Sequence, residues 1–530
     1  MSNHPLERAA RAELDRRTVM RMLGGAAGLA ASGGAAALLS ACSPTAATSA
    51  PATTAAVPGS SIATAARLGA TGTAEAASVK PYDPSAPYWL QGNFAPVFDE
   101  RTAMTAELVI EGSLPPELSG TYVRNGSNPA LGESPHWFLG DGMIHGIRLE
   151  AGKALWYRNR YVQTTMYEKR TNLDKGSPPG GASSQSNVSI FQHAGKLITS
   201  GEVGYPYELS LDDLSTKSVY DFGGKLTTSM TAHPKIDPAT GEMHFFGYGF
   251  VPPFLTYHVA AADGTLRHSE EVSVPAPLMI HDFAITETDA IFWALPVVFS
   301  MPDALRMVKG EKVFPFRWDP SVASRIGVMP LGGPASAITW VDIDPCFVFH
   351  GANAYRDDTK VVLDVCRQAS AFKDGGDLER SAAHRWTIDF AGSSPRFTDQ
   401  ITADASMDLP GIDRRFVGRR HRYAWYAGID QTRERGLDMA GVNRLDQDTG
   451  QLDRWDPGPL YRAGEVVFVP AAKAAAEGDG WLLCFAYDRS RDSSDFIVLD
   501  ATNVAAGPVA RVKLPGRVPY GFHGWWVADA

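Results

Sequence analysis

Four histidines lie in or beside short segments that are apolar, strand-like or bounded by glycine. They are His233, His281, His350 and His523, separated by gaps of 48, 69 and 173 residues. Two metal ligands on one helix, as in the HExxH motif, lie only four positions apart, so these side chains can meet only if separate elements bring them together. A buried histidine taken singly is more often a hydrogen-bonded core residue than a ligand. A shared site would bind a transition metal, because neutral imidazole suits zinc, copper, nickel and iron alike.

The segments between the histidines indicate many short strands. Beyond residue 100, turn signals recur at intervals of roughly ten to fifteen residues, and runs rich in β-branched and aromatic residues lie between them. The clearest predicted strands are residues 241–248, 283–286, 290–293, 360–366, 422–426, 481–487 and 496–499. Long amphipathic helices are scarce, and residues 471–477 form a short helical candidate.

Evenly spaced short strands predict a sandwich, a barrel or a propeller. The strand-rich part of the 530-residue chain is large for one sandwich or barrel, whereas a propeller of four-stranded blades accommodates it. No exact repeat such as a WD signature is present, so the number of blades does not follow from periodicity. The innermost strands of a propeller converge on its axis, where ligands from different blades can meet.

Several short motifs resemble those of the carotenoid cleavage oxygenases, in the same order along nearly the whole chain after residue 90. They are NFAPV (93–97), GTYVRNG (120–126), HWFLGDGM (136–143), PCFVFH (345–350) and GFHG (521–524). The resemblance implies an all-β fold, a seven-bladed β-propeller with the metal site on its axis. Loops and short helices are expected to cap one face.

The family activity is the O2-dependent cleavage of a conjugated carbon–carbon double bond, which gives two carbonyl products. The resemblance implies one Fe(II) per chain, with O2 as co-substrate and no organic cofactor. The histidines that match the family's ligands are His233, His281, His350 and His523.

Three carboxylates are expected to orient the ligand imidazoles, since metal-bound histidines usually donate their second N–H to an acid or a carbonyl. By matching motifs, Glu202 and Glu465 fit the first and third of the family's glutamates. The second normally stands in Glu-Phe-Pro, but here the motif is Asp-Leu-Pro at Asp408. Asp408 is one methylene shorter, and it reaches its histidine either directly, after a small backbone shift, or through a water. Which carboxylate orients which histidine stays open.

The expected substrate is an apolar polyene or a stilbene-like molecule, held in a dry tunnel that selects the bond. Aromatic candidates for the tunnel wall are Tyr122, Phe138, Phe254, Phe283, Phe349 and Trp525. The apolar segments 250–255 and 294–316 are candidates for a patch that contacts a membrane surface, and core turns are an equally good interpretation of both.

The stilbene-cleaving members recognise a phenol through a lysine just before the first glutamate. Gly201 holds that position here, which favours a carotenoid or apocarotenoid, although Tyr167 could still serve a phenol. Two interpretations from other classes are a non-catalytic propeller that binds an apolar ligand and a metal-dependent hydrolase. No GxSxG nucleophile motif supports the hydrolase.

The first 80 residues are predicted to lie outside the propeller. Residues 1–42 resemble a twin-arginine export signal, with Arg16 and Arg17 before an Ala/Gly-rich apolar stretch, and end in a lipobox-like motif at Cys42. Residues 43–80 are almost all Ala, Thr, Ser, Gly and Pro, the composition of a disordered linker. We therefore expect an exported propeller over 81–530, and two alternatives stay open for its leader: lipid attachment at Cys42 or cleavage at a later Ala-rich site.

The charge pattern argues against nucleic acid as a partner. The formal net charge is −10, and no run rich in lysine or arginine stands out. Cys346, Cys366 and Cys484 are too few for a disulfide framework in a chain of this length and are expected to be buried thiols. The oligomeric state does not follow from the sequence.

Overall fold

The computed structural model describes residues 83, 85–171, 180–373, 377–430, 438–472 and 475–529. The predicted signal, linker and lipobox lie outside these residues and stay predictions. None of the described helices is both long and apolar enough to cross a membrane.

Among the described residues, seven antiparallel sheets of four to six strands follow one another as the blades of a β-propeller, as the resemblance implies. The blades are numbered in chain order, and the strands of each blade are named from the innermost to the outermost. Blade 1 consists of Gly524–Ala528, Gly120–Ser127, Gly142–Glu150, Lys153–Tyr161 and Thr102–Met104. Blade 2 consists of Ser189–His193, Lys196–Ser200, Tyr207–Leu209 and Thr216–Val219. Blade 3 consists of Lys235–Ile236, Met243–Tyr248, Leu255–Ala260 and Leu266–Glu271.

The other four blades follow the same plan. Blade 4 consists of Phe283–Ile285, Asp289–Ala294, Ser324–Pro330 and Thr339–Ile343. Blade 5 consists of Phe347–Asp357, Lys360–Gln368, Ser381–Asp389 and Arg396–Ala403. Blade 6 consists of Met407–Ile412, Tyr423–Asp430, Asp438–Asp446 and Leu452–Trp455. Blade 7 consists of Val467–Pro470 and Tyr461–Ala463, which both pair with Gly480–Asp488, then Ser493–Asp500, Pro508–Lys513 and Val109–Gly112.

Strands from the two ends of the propeller close the ring. Gly524–Ala528, the inner strand of blade 1, pairs with Gly120–Ser127, with Val527 opposite Thr121. Val109–Gly112 completes the outer edge of blade 7, with Ile110 opposite Val512. Closure of this kind leaves only short protected edges, and it joins segments that are about 400 residues apart in the chain within blade 1.

Inserted elements cover one end of the axis. Blade 4 carries the hairpin strands Val297–Phe299 and Phe316–Trp318 with the α-helix Met301–Val308 between them, and blade 5 carries Ala371–Lys373 and Asp377–Leu378. The other described helices are the α-helix Thr165–Glu168 and the 3-10 turns Tyr88–Leu90, Gly92–Phe94, Thr105–Glu107, Trp137–Leu139, Ala335–Ala337, Arg414–Phe416 and Val504–Ala506.

Aromatic side chains fill the space between neighbouring blades. Phe246 of blade 3 meets Phe283 of blade 4 edge-on, with ring centroids 5.3 Å apart, and Phe283 stacks on Phe292 at 5.5 Å. All three rings are fully buried. Strands between two packed blades are apolar on both faces, which explains why the sequence shows continuous apolar runs there instead of strict alternation.

The predicted strands are confirmed to within a few residues, but the helix predicted at 471–477 is wrong. Its described residues form turns and irregular backbone. They connect two paired strands of blade 7, in which Pro470 lies opposite Gly480. The N–H of Ala471 donates to the carbonyl of Asp479 at 3.1 Å, so hairpin closure overrides the helical propensity of this alanine-rich segment.

Candidate metal centre

Four histidines from four blades point at one place on the propeller axis. His523 directly precedes the inner strand of blade 1, and His350 lies within the inner strand of blade 5. His233 and His281 each lie two residues before the inner strands of blades 3 and 4. Inner strands run closest to the axis, so a side chain at the same end of each strand is directed to a common point.

The imidazole nitrogens are close enough to share one ion. The Nε2 atoms of His233 and His281 are 3.0 Å apart, and those of His281 and His350 are 3.2 Å apart. Ligand nitrogens of all four histidines, His523 included, lie within 4.8 Å of one another. Two nitrogens that are each about 2.1 Å from an ion lie about 3.0 Å apart at a right angle and about 3.4 Å apart at the tetrahedral angle. The observed spacing therefore fits a single shared ion.

Each of three histidines is held by a carboxylate behind it. The Nδ1 of His523 donates to Glu465 at 2.7 Å, and the second oxygen of Glu465 accepts from the N–H of Gly524 at 2.6 Å. The Nδ1 of His281 donates to Glu202, whose other oxygen accepts from the hydroxyl of Tyr248 at 2.7 Å. A proton fixed on Nδ1 leaves Nε2 free as a neutral ligand.

Asp408 reaches His350 without a bridging water, since its Oδ1 accepts from Nδ1 at 2.7 Å. The strand of blade 6 that carries Asp408 is irregular at this point. The register between the first two strands slips between Asp408 and Gly411, and Leu409 has a φ of 53°. A β-bulge re-aims a side chain, and Asp408 contacts His350 directly from this one.

His233 differs from the other three ligands. Among the described residues no carboxylate lies at its ring, and its backbone N–H donates to Thr231 at 3.2 Å. Burial lowers the pKa of both His233 and His281 well below the ordinary histidine value, and the neighbouring histidines lower it further. Both rings are therefore neutral near pH 7, the form in which imidazole binds a metal.

A buried ion pair that the sequence reasoning missed joins the segments that carry the ligands. Asp282 follows His281, and one of its oxygens lies 2.7 Å from the Nζ of Lys235 in blade 3. Its other oxygen accepts from the N–H of Gly351 in blade 5 at 2.9 Å. Both charged residues lie in the apolar histidine segments, and that unusual placement was the sequence signal that could have revealed the ion pair.

An apolar cavity borders the cluster under the inserted elements. His281, His350 and His523 form part of its wall, together with Glu202 and Asp408. Most of the remaining wall is aromatic or aliphatic and includes Trp137, Phe138, Phe250, Phe299, Phe314 and Phe349. A site of this kind, with few polar groups in an apolar cleft, is suited to a hydrophobic small molecule.

Comparisons with known proteins agree with this geometry. Residues 94–528 match the family model described as retinal pigment epithelial membrane protein. A carotenoid 9,10(9',10')-cleavage dioxygenase of Crocus sativus is 34% identical over 501 residues, covering 84% of this chain and 90% of the relative. A carotenoid cleavage oxygenase of Mycobacterium tuberculosis is 35% identical over 501 residues, covering 83% of this chain and 97% of the relative. The chain belongs to the carotenoid cleavage oxygenase family.

The fold agrees with solved structures of related enzymes. A lignostilbene dioxygenase of Pseudomonas brassicacearum superimposes with a TM-score of 0.76 at 28% identity, covering 84% of this chain and 99% of the other. Carotenoid cleavage oxygenases are non-haem iron enzymes with a four-histidine site, and the clustered histidines of this chain match that pattern.

The predicted tunnel residues separate into three groups. Phe138 and Phe349 line the apolar cavity. Phe283 and Trp525 line a different cavity, described below. Tyr122 and Phe254 line neither of these cavities, which corrects their predicted place in the tunnel wall. Tyr122 is fully buried between blades 1 and 7, with its ring centroid 5.1 Å from that of Phe485, and Phe254 packs against the core of blades 3 to 5.

The apolar segments 250–255 and 294–316 contribute to the cavity wall. Phe250 stacks on Phe299 with ring centroids 4.1 Å apart, and both line the apolar cavity with Ala304 and Met307 of the helix Met301–Val308. Their place in the cavity wall accounts for the apolar character of these residues without a membrane-contacting patch. Contact between the segments and a membrane surface stays a prediction.

Proposed function

We propose that this protein is an iron(II)-dependent dioxygenase that cleaves a conjugated carbon–carbon double bond of a carotenoid or apocarotenoid. Both atoms of O2 enter the products, one in each of two carbonyl compounds, so the reaction balances without an external reductant. The observation that carries the proposal is a cluster of four imidazoles that opens onto an apolar cavity walled by aromatic rings.

The residues around the cluster have separable tasks in this reaction. His233, His281, His350 and His523 would hold the iron, which supplies the chemistry of oxygen activation when bound. The three carboxylates fix the ring orientations and offset the positive charge from a distance. The aromatic wall excludes water and keeps an extended polyene in one register, so that one double bond lies beside the cluster.

A carotenoid substrate is favoured over a stilbene by two observations near the cavity. Gly201 stands where the stilbene-cleaving members carry their phenol-binding lysine. Tyr167, the other candidate for a phenol, is stacked on Tyr161 with ring centroids 4.9 Å apart and does not line the cavity. A hydroxystilbene in the apolar cavity would therefore have neither group available to bind its phenol. The relatives from Crocus sativus and Mycobacterium tuberculosis are named for carotenoid cleavage, which points the same way.

A paired oxygen-uptake assay tests the proposal. Iron-loaded protein is given an apocarotenal or a hydroxystilbene in an oxygen electrode, and the products are analysed by mass spectrometry. We expect one O2 consumed per apocarotenal and two carbonyl products. Turnover of the hydroxystilbene alone would instead establish the stilbene-cleaving alternative. Turnover without O2 would establish a hydrolase, and iron-loaded protein that binds the polyene without turnover would be a non-catalytic binding propeller.

We also propose export by a twin-arginine-type route, with lipid attachment at Cys42. Arg16 and Arg17 precede the apolar stretch, and the LSAC motif ends at Cys42. A lipid anchor would hold the propeller beside the membrane in which an apolar polyene dissolves. Metabolic labelling with a fatty acid, compared between the natural chain and Cys42→Ser, tests the anchor.

A further inference from the structure

A second cavity reaches the histidine cluster along the propeller axis. Residues from the inner strand of every blade line it, whereas the wall of the apolar cavity includes residues of the inserted elements, such as Phe299, Ala304 and Met307. It extends from the exposed residue Pro238 to the imidazoles. This space is called the axial cavity.

The histidine cluster separates the two cavities. His350 and His523 border both. His281 borders only the apolar cavity, and His233 borders only the axial cavity. An ion held by all four imidazoles would therefore be approached from two sides.

The wall of the axial cavity is chemically mixed. Lys235 and Asp282 form their 2.7 Å ion pair there. The guanidinium of Arg414 lies 3.6 Å from the ring centroid of Trp525 and donates to the carbonyl of Gly524 at 3.1 Å. Burial lowers the pKa of Arg414 to about 10, so the group is still charged near pH 7. A long polyene in this space would remove charged groups from water at a large cost, whereas a molecule of the size of water or O2 would not.

We propose that the axial cavity is the route by which O2 reaches the histidine cluster while the organic substrate fills the apolar cavity. The route rests on the proposed function in one respect, namely that the polyene occupies the apolar cavity. A polyene in that cavity lies between its opening and the imidazoles, so O2 needs another path. With two separate paths, O2 reaches the site of a protein that has already bound its organic substrate.

Matched alanine substitutions test the two paths. Ala352 is a partly buried residue of the inner strand of blade 5 and lines the axial cavity. Ala304 lies on the helix Met301–Val308 and lines the apolar cavity. Ala352→Phe narrows the first space and Ala304→Phe narrows the second. We expect Ala352→Phe to raise KM for O2 without changing KM for the apocarotenal, and Ala304→Phe to do the reverse.

Nitric oxide is a probe of access that needs no turnover. It is mixed with iron-loaded protein under anaerobic conditions in a stopped-flow spectrometer, with and without saturating apocarotenal. We expect the apocarotenal to leave the on-rate of the natural protein nearly unchanged. In Ala352→Phe with apocarotenal we expect a fall of about tenfold, equivalent to about 1.4 kcal/mol of added barrier. An apocarotenal that blocks nitric oxide in the natural protein, or an on-rate unchanged in Ala352→Phe, would overturn the proposal.

A further comparison of variants distinguishes a failure of the O2 route from a failure of the proposed function. Comparison of Ala304→Phe with the double variant Ala304→Phe/Ala352→Phe measures the axial path without any organic ligand. A slower on-rate in the double variant supports the route even if no polyene is cleaved, and unchanged access in a protein that still cleaves apocarotenal refutes the route alone. If Ala352→Phe does not retain iron, Val417→Trp narrows the same cavity from a position outside the strands.

Discussion

Removal of the Asp408 carboxylate should weaken iron binding without unfolding the propeller. The carboxylate is largely buried, accepts from the Nδ1 of His350 at 2.7 Å and accepts from the N–H of Leu409 at 2.8 Å. Asp408→Ala leaves the His350 ring free to turn and removes a negative charge behind a ligand. Loss of such a partner typically costs 10- to 100-fold in metal affinity, or about 1.4 to 2.7 kcal/mol.

The assay is a titration of apoprotein with Fe(II) against a competing chelator at fixed pH. Asp408→Asn should lose less affinity than Asp408→Ala, because its amide oxygen can still accept from Nδ1. Asp408→Glu should not improve on the natural residue, since the bulge at Asp408 already brings the shorter side chain into contact.

A second histidine–aspartate pair in blade 5 provides the matched control. His384 and Asp399 are 2.6 Å apart on neighbouring outer strands, away from the cluster. Asp399→Ala breaks a contact of the same type and should change the free energy of unfolding but not iron affinity. If Asp408→Ala bound iron as tightly as the natural protein, or if Asp399→Ala weakened it equally, Asp408 would have no orienting role.

Other predictions address the ligands, the buried ion pair, acid stability and export. His350→Ala should lose bound iron and all turnover, and a normal iron content by elemental analysis would show that the ligand set is wrong. Asp282→Ala leaves the partly exposed Lys235 ammonium and the N–H of Gly351 without their partner and should cost about 1 to 3 kcal/mol in urea unfolding; no measurable loss would contradict its structural role. Burial lowers the pKa of His258 to about 4, so the unfolded chain binds the proton first and stability should fall as pH drops from about 6.5 to 4. His258→Gln should flatten that part of the curve of unfolding free energy against pH, and an unchanged slope would exclude His258 as a cause. Replacing both Arg16 and Arg17 by lysine should retain the protein in the cytoplasm in a fractionation experiment, and normal export of that variant would refute the signal.

Local sequence was sufficient to predict most strands and the four candidate histidine ligands. Runs such as 360–366 and 481–487 are rich in β-branched or aromatic residues and end at turn residues, so their conformation is decided within a few positions. The exception at 471–477 is a case in which local propensity favoured a helix and the pairing of its flanking strands, Val467–Pro470 and Gly480–Asp488, imposed a turn.

The sequence by itself determined the family, the strand-rich fold and the four candidate ligands, because each of these is written in short ordered motifs. Only the tertiary structure decided that Glu202 faces His281, that Asp408 faces His350 and that Glu465 faces His523. It also separated Phe349 from Phe283, two similar rings next to ligand segments, into different cavities. These partners are separated by 58 to 79 residues in the chain. Their contact depends on how the blades pack around the axis, which no local pattern records.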